Sequence, residues 1–138
     1  MIRLAALLTL LAGPAMAETI IAARTIPART VIAATDILVD GGTVPGAASD
    51  PAAVIGAEAK VALYAGRPIR PGDIGVPAVV ERNEIIPLIY SGNGLFISTD
   101  GRALDRASPG EVIRVMNISS RNTVSARITE DGAAYVTP

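Results

Sequence analysis

Acidic side chains are the main candidates for chemistry in this sequence, because it contains no histidine and no cysteine. Their absence excludes a Ser-His-Asp triad, a Cys-His pair and a zinc site with imidazole or thiolate ligands. Asp36 and Asp73 are candidates for paired general acids and bases or for metal ligands. Both end the same repeated segment, however, which favours structural turns in which each carboxylate accepts hydrogen bonds from backbone N–H groups.

The remaining charged residues also lack a catalytic or ligand-binding pattern. Asp100-Gly101 and Glu130-Asp131-Gly132 lack the alternating acidic ligands of a calcium loop, so both are predicted to be hairpin turns. Lys60 lies in an apolar run with no serine beside it, which argues against a Ser-Lys dyad. The arginines of the second half are balanced by acidic residues. We therefore predict no catalytic residue, no metal, no cofactor and no nucleic-acid partner.

The first 17 residues have the three parts of a secretory signal peptide. A positive start is followed by the apolar run 4–12, a Gly-Pro break and the small-x-small ending Ala15-Met16-Ala17. A transmembrane helix needs about 20 apolar residues, so this run is too short to span a bilayer. A buried N-terminal helix is the alternative. We predict cleavage after Ala17, export to the periplasm and no stable membrane insertion afterwards.

The rest of the chain is predicted to be mostly β, with few short helical turns. In the first half, strands are expected at 19–23 and 59–63, with a helical turn at 49–56. In the second half, five short strands predict a small barrel or sandwich, at 84–90, 95–99, 111–116, 123–128 and 133–137. The predicted units are 18–80 and 81–138. They would meet at a hinge formed by Pro77, Ala78, Val79, Val80 and Glu81.

The apolar surface is harder to place. The four aromatic residues are expected in the core rather than in a sugar-stacking platform: Tyr64, Tyr90, Phe96 and Tyr135. Ile85-Ile86-Pro87-Leu88-Ile89 shows no alternation, which favours burial on both faces. Alternatively, it is an exposed apolar edge that pairs with a client strand. Pro87 requires an edge position or a bulge.

A repeat with an offset of 37 residues organises the first half. Residues 26–37 and 63–74 both carry an apolar residue, a small alanine, a turn, an isoleucine and a closing Asp-Ile pair. Gly66 is predicted to be a structural residue of the second turn. Arg29 stands at the equivalent place in the first copy, and it would be strained if that position needs a positive φ.

This repeat resembles the SAF domain, a β-clip fold whose Ala-Gly…Ile…Asp-Ile signature the chain carries twice. The second half resembles the flagellar basal-body P-ring formation proteins, the FlgA family. Residues 95–104 are similar to that family's short strand followed by Thr-x-Gly-x-Ala-Leu. Residues 110–117 with Ser120 are similar to its Gly-acid-x-Ile-Arg-Val-x-Asn…Ser stretch, and 124–128 to its closing hairpin. Larger members carry an additional N-terminal domain, for which this sequence has no room.

The resemblance implies a SAF β-clip domain followed by a small β domain. It also implies a periplasmic chaperone that binds the flagellar P-ring protein and assists its assembly. The expected client-binding residues are Ile85, Ile86, Leu88, Tyr90 and Phe96. An alternative is a pilus or secretion assembly factor with the same domain. A carbohydrate-acting enzyme with paired carboxylates is the remaining alternative.

Overall fold

The computed structural model describes residues 18–137, and the chain in this range is mostly β. The predicted signal peptide, 1–17, and its cleavage site lie outside the described residues. Two hydrophobic cores are present. One contains buried residues between Ile20 and Ile74, and the other contains buried residues between Val80 and Ala134. We call the corresponding regions the first lobe and the barrel.

The first lobe consists of two small antiparallel sheets. In one, β1 (Thr19–Ala22) pairs with β2 (Ile37–Asp40); in the other, β3 (Glu58–Ala59) pairs with β4 (Ile74–Gly75). Short 3₁₀ turns precede β2 and β4, at Ala34–Asp36 and Pro71–Asp73. The strand predicted at 59–63 is therefore much shorter, because the chain turns away after Ala59.

A single short helix, α1 (Pro51–Val54), is described in the first lobe. Asp50 caps it by accepting a 2.9 Å hydrogen bond from Ala52 N, and Pro51 occupies the first helical position. Gly56 follows with a φ of 84°, the left-handed conformation that ends many helices. The helical turn predicted from these residues is present.

The 37-residue repeat is a structural repeat that extends from the predicted segments back to residues 20 and 57, and matched hydrogen bonds relate its two copies by a local pseudo-two-fold axis. Ile26 and Leu63, which are equivalent, exchange backbone hydrogen bonds of 2.7 and 2.8 Å. Other bonds occur in matched pairs. Arg29 N donates to Ala59 O at 2.6 Å, and the equivalent Gly66 N donates to Ala22 O at 2.8 Å. The two copies thus form one interlocked core.

The second half is a closed five-stranded barrel in the order β5-β6-β7-β8-β9. Its strands are β5 (Ile85–Gly92), β6 (Leu95–Ala103), β7 (Val112–Asn117), β8 (Thr123–Ile128) and β9 (Ala134–Val136). Successive strands are antiparallel, and β9 closes the barrel by pairing parallel to β5 at Leu88 and Ile89. That ladder begins one residue after Pro87, so the proline removes no donor from it.

Two sequence predictions about where residues lie are wrong. Asp100-Gly101 is not a turn, because β6 runs straight through it. A Cβ on Gly101 would lie 2.5 Å from Val115 Cγ1 and 3.1 Å from Leu88 Cβ, so the glycine serves close packing across the barrel. The expectation of buried aromatics also fails, since all four are exposed or half-buried. Small and aliphatic residues fill the barrel instead, as its narrow interior requires.

Candidate functional site

Strands β5 and β6 extend beyond their neighbours in the barrel. β5 pairs with β9 at Leu88 and Ile89, whereas β6 pairs with β7 from Gly101 to Ala103. Residues 90–99 therefore form a two-stranded hairpin that we call the arm. Within the described part of the chain, no further strand pairs with either edge of the arm. The arm leaves an open strand edge beside an otherwise closed sheet.

The turn at the tip of the arm sets the pairing of its two strands. Asn93 and Gly94 both have positive φ values, 51° and 75°, as a type I′ turn requires. Such a two-residue turn matches the twist of the flanking strands and makes Gly92 and Leu95 a hydrogen-bonded pair. The register of the whole arm follows from this pair.

That register determines which backbone groups remain available. Hydrogen-bonded pairs alternate along antiparallel strands, so the N–H and C=O groups of Phe96 and Ser98 point away from β5. At Asp100, where the same edge reaches the barrel, the outward carbonyl accepts a 3.0 Å hydrogen bond from Ile118 N. The edge at residues 96–98 thus carries the pattern that another strand would pair with.

The arm also exposes apolar side chains. Leu95, Phe96 and Ile97 are 54%, 67% and 48% exposed. Leu95 and Ile97 share a face with Tyr90, and this face continues into the barrel interior at Leu88. Phe96 lies on the opposite face. Three adjacent exposed apolar residues beside an open strand edge are typical of an interaction site.

A cavity of about 280 Å³ lies at the mouth of the barrel, at the base of this face. Its walls combine apolar residues with a polar rim: Leu88, Ile97, Val124 and Val136, with Asn117, Ser120 and Asn122. A strand added to the open edge would direct alternate side chains toward this face. The cavity is large enough to accept an apolar side chain from it.

The structure divides the predicted client-binding residues. Ile86 and Leu88 are only 4% exposed and belong to the barrel core, so they are not accessible to a client in this structure. Ile85 is exposed at the far end of β5, whereas Tyr90 and Phe96 lie in the arm. Sequence reasoning missed Leu95 and Ile97. The signal was present, because an apolar triplet directly after an Asn-Gly turn has no core to enter at a hairpin tip.

The predicted hinge residues are bonded to both lobes. Val79 N and Val80 N donate to Ala107 O at 2.9 and 3.2 Å, and Val80 is buried in the barrel core. On the other side, Ala78 N donates to Glu58 Oε2 at 3.2 Å. Pro77 precedes this bond, and the exposed Glu81 follows Val80. The carbonyl of Val76, just before Pro77, accepts a 2.8 Å hydrogen bond from Ser108 Oγ, so the segment is bonded to the barrel on both sides of Pro77.

An ion-pair network bridges the two lobes. The Arg106 guanidinium donates to both carboxylate oxygens of Glu58, at 2.6 and 2.7 Å, and to Glu81 Oε1 at 2.8 Å. Glu58 is buried, and the hydrogen bonds from Arg106 hold the pKa of its carboxyl below the usual range despite the opposing effect of burial. Hydrogen bonds to Glu58 and Glu81 raise the pKa of Arg106. Glu58 is the equivalent of Ile21 in the repeat, so only the second copy carries this contact.

The predicted structural turn residues occupy the repeated turns. Gly66 has a φ of 76° and Arg29 a φ of 65°, so both equivalent positions are left-handed and Arg29 is strained. The buried carboxylate of Asp36 accepts hydrogen bonds from Ala33 N at 3.0 Å and from Arg24 Nε at 2.7 Å. These two bonds, in that order of importance, lower the pKa of Asp36. Asp73 is half-buried at the equivalent position.

The described residues contain neither a metal-binding cluster nor a membrane-spanning helix. Among residues 18–137, no group of three or more acidic side chains could hold a metal ion. The same part of the chain contains no helix that is long and apolar enough to cross a membrane.

Comparison with known proteins identifies the family. A family model described as a chaperone for flagella basal body P-ring formation matches residues 17–136. The chain belongs to this chaperone family. The match covers both lobes and the arm. The chaperone family is not a family of enzymes, and its role lies in flagellar assembly.

Individual relatives agree with this assignment. The distal basal body ring component protein of Caulobacter vibrioides is 34% identical over 89 residues, which are 64% of this chain and 33% of that protein. Flagellar protein FlgA of Agrobacterium fabrum is 33% identical over 91 residues, which are 66% of this chain and 56% of that protein. The chain thus spans between a third and just over half of the length of these relatives.

Solved structures of the family show the same fold. FlgA of Salmonella in its open form gives a TM-score of 0.76 at 19% identity, covering 86% of this chain and 59% of that one. FlgA of Thermotoga maritima gives a TM-score of 0.62 at 19% identity, covering 88% and 45% respectively. At this level of identity the likeness concerns the fold alone.

Proposed function

We propose that the protein is a periplasmic chaperone that binds the flagellar P-ring protein and assists its assembly into the ring. Membership of the P-ring chaperone family supports the role. The signal-peptide pattern at residues 1–17 supports the compartment. We also infer that the first lobe, with its repeated Asp-Ile turns, is a SAF-type β-clip. The proposed role is binding, which requires no catalytic group.

The open edge of the arm is the observation that carries the mechanism. A strand of the client would add to residues 96–98 by backbone hydrogen bonds, and its apolar side chains would cover Leu95 and Ile97. This mode shields a client strand that would otherwise aggregate, because edge strands pair readily with other chains. Ile85, Tyr90 and Phe96 remain in the proposed client surface, extended by Leu95 and Ile97. Ile86 and Leu88 instead support it from the core.

A proline in the open edge tests the backbone part of this proposal. Ser98→Pro removes an N–H that points away from β5, so the arm itself should persist. We expect Ser98→Pro to weaken binding of the purified P-ring protein at least tenfold in calorimetry. Ser98→Ala is the matched control and should bind like the unmodified chain. Unchanged binding by a folded Ser98→Pro variant would rule out strand addition at this edge.

A polar substitution on the arm tests the side-chain part. Phe96→Ser removes an aromatic side chain from an exposed site, so it should leave the unfolding temperature nearly unchanged while reducing binding. Val112→Ser, at an exposed apolar position of β7 outside the arm, is the control. Equal effects of both substitutions on binding would contradict a role for the arm.

The predicted hinge remains a proposal about how the lobes move. Opening at Pro77 to Glu81 must break the bonds between Glu58 and Arg106, since these join the lobes on one side of the segment. Small-angle scattering of Arg106→Gln should show a larger radius of gyration than that of the unmodified chain. Glu81→Gln, which leaves the Glu58 pair intact, is the control. An unchanged radius for Arg106→Gln would argue for a joint held by packing alone.

Cell fractionation tests the compartment. The mature protein should appear in the periplasmic fraction with an N-terminus at Glu18, and basal bodies from cells without the gene should lack P rings. A cytoplasmic, uncleaved protein, or normal P rings in those cells, would overturn the proposed role.

A further inference from the structure

A second concave surface lies on the first lobe, away from the arm. It is a depression of about 430 Å³, within the size range of small-molecule sites. Tyr64, Arg67, Arg70 and Asp73 line it, together with the apolar residues Leu63 and Pro68. Contacts between the two lobes do not explain this depression, because the barrel contacts the first lobe at Glu58 and Val76 instead.

The two arginines of this depression are not used by the fold. Arg24, Arg106 and Arg114 form ion pairs, but neither Arg67 nor Arg70 forms one with any residue in 18–137. Both side chains are exposed, so their hydrogen-bond donors are available from solvent. Two guanidinium groups beside one depression form a suitable site for a carboxylate, which arginine binds with two parallel hydrogen bonds.

The repeat shows that the fold does not need these side chains. Residues Tyr64, Arg67 and Arg70 correspond to Pro27, Thr30 and Ala33 in the first copy. The first copy forms the same turn with matched backbone hydrogen bonds, including Asp36 N to Ala33 O and Asp73 N to Arg70 O, both 3.0 Å. The first copy thus serves as an internal reference in which the turn is built without the tyrosine and without either arginine.

Both copies have an aspartate in this turn, but the surroundings of Asp73 differ from those of Asp36. Arg24 holds the Asp36 carboxylate, and the counterpart of Arg24 in the second copy is Val61. No ion pair to Asp73 is present in the described part of the chain, which leaves its carboxylate as an acceptor at the rim of the depression. Its negative charge offsets part of the attraction of the two arginines for a purely anionic ligand, whereas it can accept hydrogen bonds from a ligand that also carries hydroxyl groups.

We propose that this depression binds a sugar that carries a carboxylate, of the hexuronic acid class. Arg67 and Arg70 would bind the carboxylate, Asp73 would accept hydrogen bonds from ring hydroxyls, and the exposed Tyr64 ring would stack on the C–H face of the sugar. The site is separate from the arm and does not depend on the proposed chaperone function. It takes its specificity from the combination of an acid group, hydroxyl donors and an apolar face.

Nuclear magnetic resonance titration of the ¹⁵N-labelled protein tests the proposal. Glucuronic acid should shift the backbone amides around residues 64–73, whereas glucose and acetate, which each lack one part of the ligand, should bind at least tenfold more weakly. A short Glu-containing peptide tests a polypeptide carboxylate as the alternative source. Stronger binding of the peptide, equal binding of acetate, or no shift with glucuronic acid at tens of millimolar would overturn the sugar assignment.

Substitution by the residues of the first copy gives matched variants. Arg67→Thr and Arg70→Ala should each weaken glucuronic acid binding about tenfold while the remaining spectrum stays unchanged, since the first copy folds with these residues. Arg82→Gln, an exposed arginine outside the depression, should bind normally. Binding by Arg67→Thr and Arg70→Ala that equals that of the unmodified chain would refute the site. Retained binding of the P-ring protein by both variants would separate this site from the arm.

Discussion

The two copies of the 37-residue repeat share a backbone and differ in what they carry. Equivalent residues form matched hydrogen bonds, and Ile26 and Leu63 meet at the axis between them. The first copy pairs its acid internally, through Arg24 and Asp36. The second copy uses Glu58 to dock the barrel and presents Tyr64, Arg67 and Arg70 to solvent. Backbone bonds and buried aliphatic residues thus maintain the turn, whereas the exposed positions are free to acquire contacts.

The largest expected loss of stability comes from truncating the two residues at the axis. Ile26→Ala and Leu63→Ala should each lower the free energy of unfolding by about 3 kcal/mol, because each removes buried side-chain carbon from a shared core. The two losses should be similar, as the local symmetry implies. Val31→Ala, at an exposed position of the same repeat, should change stability by less than about 0.5 kcal/mol. Urea unfolding measures all three, and strongly unequal losses at the axis would contradict the symmetric core.

Breaking the contact between the second copy and the barrel should cause the next largest loss of stability. Glu58→Gln leaves the Arg106 guanidinium without its buried carboxylate partner and should cost about 3 kcal/mol or somewhat less. Glu81→Gln removes the exposed partner of the same arginine and should cost less than about 1 kcal/mol. Equal losses would show that burial of Glu58 contributes nothing.

The same pair predicts a pH dependence. The folded-state pKa of Glu58 is lowered, so its stabilisation is complete above the unfolded-state pKa, about 4.3 for glutamate, and is lost as the pH falls through the folded-state value. The stability difference between the unmodified chain and Glu58→Gln should therefore shrink in acid. Thermal unfolding at pH 7 and at several values below 4.3 measures this difference, and a constant difference would contradict the assignment.

Replacing the aspartates of the two turns should lower the melting temperature by unequal amounts. Asp36→Asn removes the charge that Ala33 N and Arg24 stabilise, so it should lower the melting temperature more than Asp73→Asn does. Because the folded-state pKa of Asp36 is lowered, the effect of Asp36→Asn should fade as the pH drops through that lowered value. A larger effect at Asp73 would mean that the second turn depends on its acid more than the geometry indicates.

The smallest expected effect concerns the left-handed turn positions. Gly66→Ala should cost about 1 kcal/mol, because a Cβ there meets no neighbouring atom but the φ of 76° is unfavourable for alanine. Arg29→Gly relieves the same strain but increases the conformational entropy of the unfolded chain. The free energy of unfolding should therefore change by no more than about 0.5 kcal/mol. A cost at Arg29→Gly equal to that at Gly66→Ala would show that the arginine side chain itself stabilises its turn.

Local patterns in the sequence predicted much of this fold. The repeat, the helical turn at 49–56 and the short strands of the second half all depend on residues close together in the chain, and the mostly β class follows from those strands. Asp100-Gly101 was misread because the role of Gly101 depends on Val115, a residue on another strand. The burial of Ile86 and Leu88 likewise depends on the register of β5 in the barrel, which no local pattern specifies. The depression at Tyr64 needs the folded turn, since its residues show no motif.

The parallel pairing of β5 with β9 has a consequence for the order of folding. Leu88 and Ala134 are partners although 46 positions separate them, whereas the first lobe has all its strands once residue 75 is available. In a chain exported as proposed, the N-terminal part emerges from the membrane first, so the lobe can fold while the barrel is still an open meander. The first lobe also contains a long-range bridge, between Ile21 and Pro68, but both residues belong to the part of the chain that is available first. The barrel can therefore close only when the last strand, β9, is available, whereas the arm needs only β5 and β6.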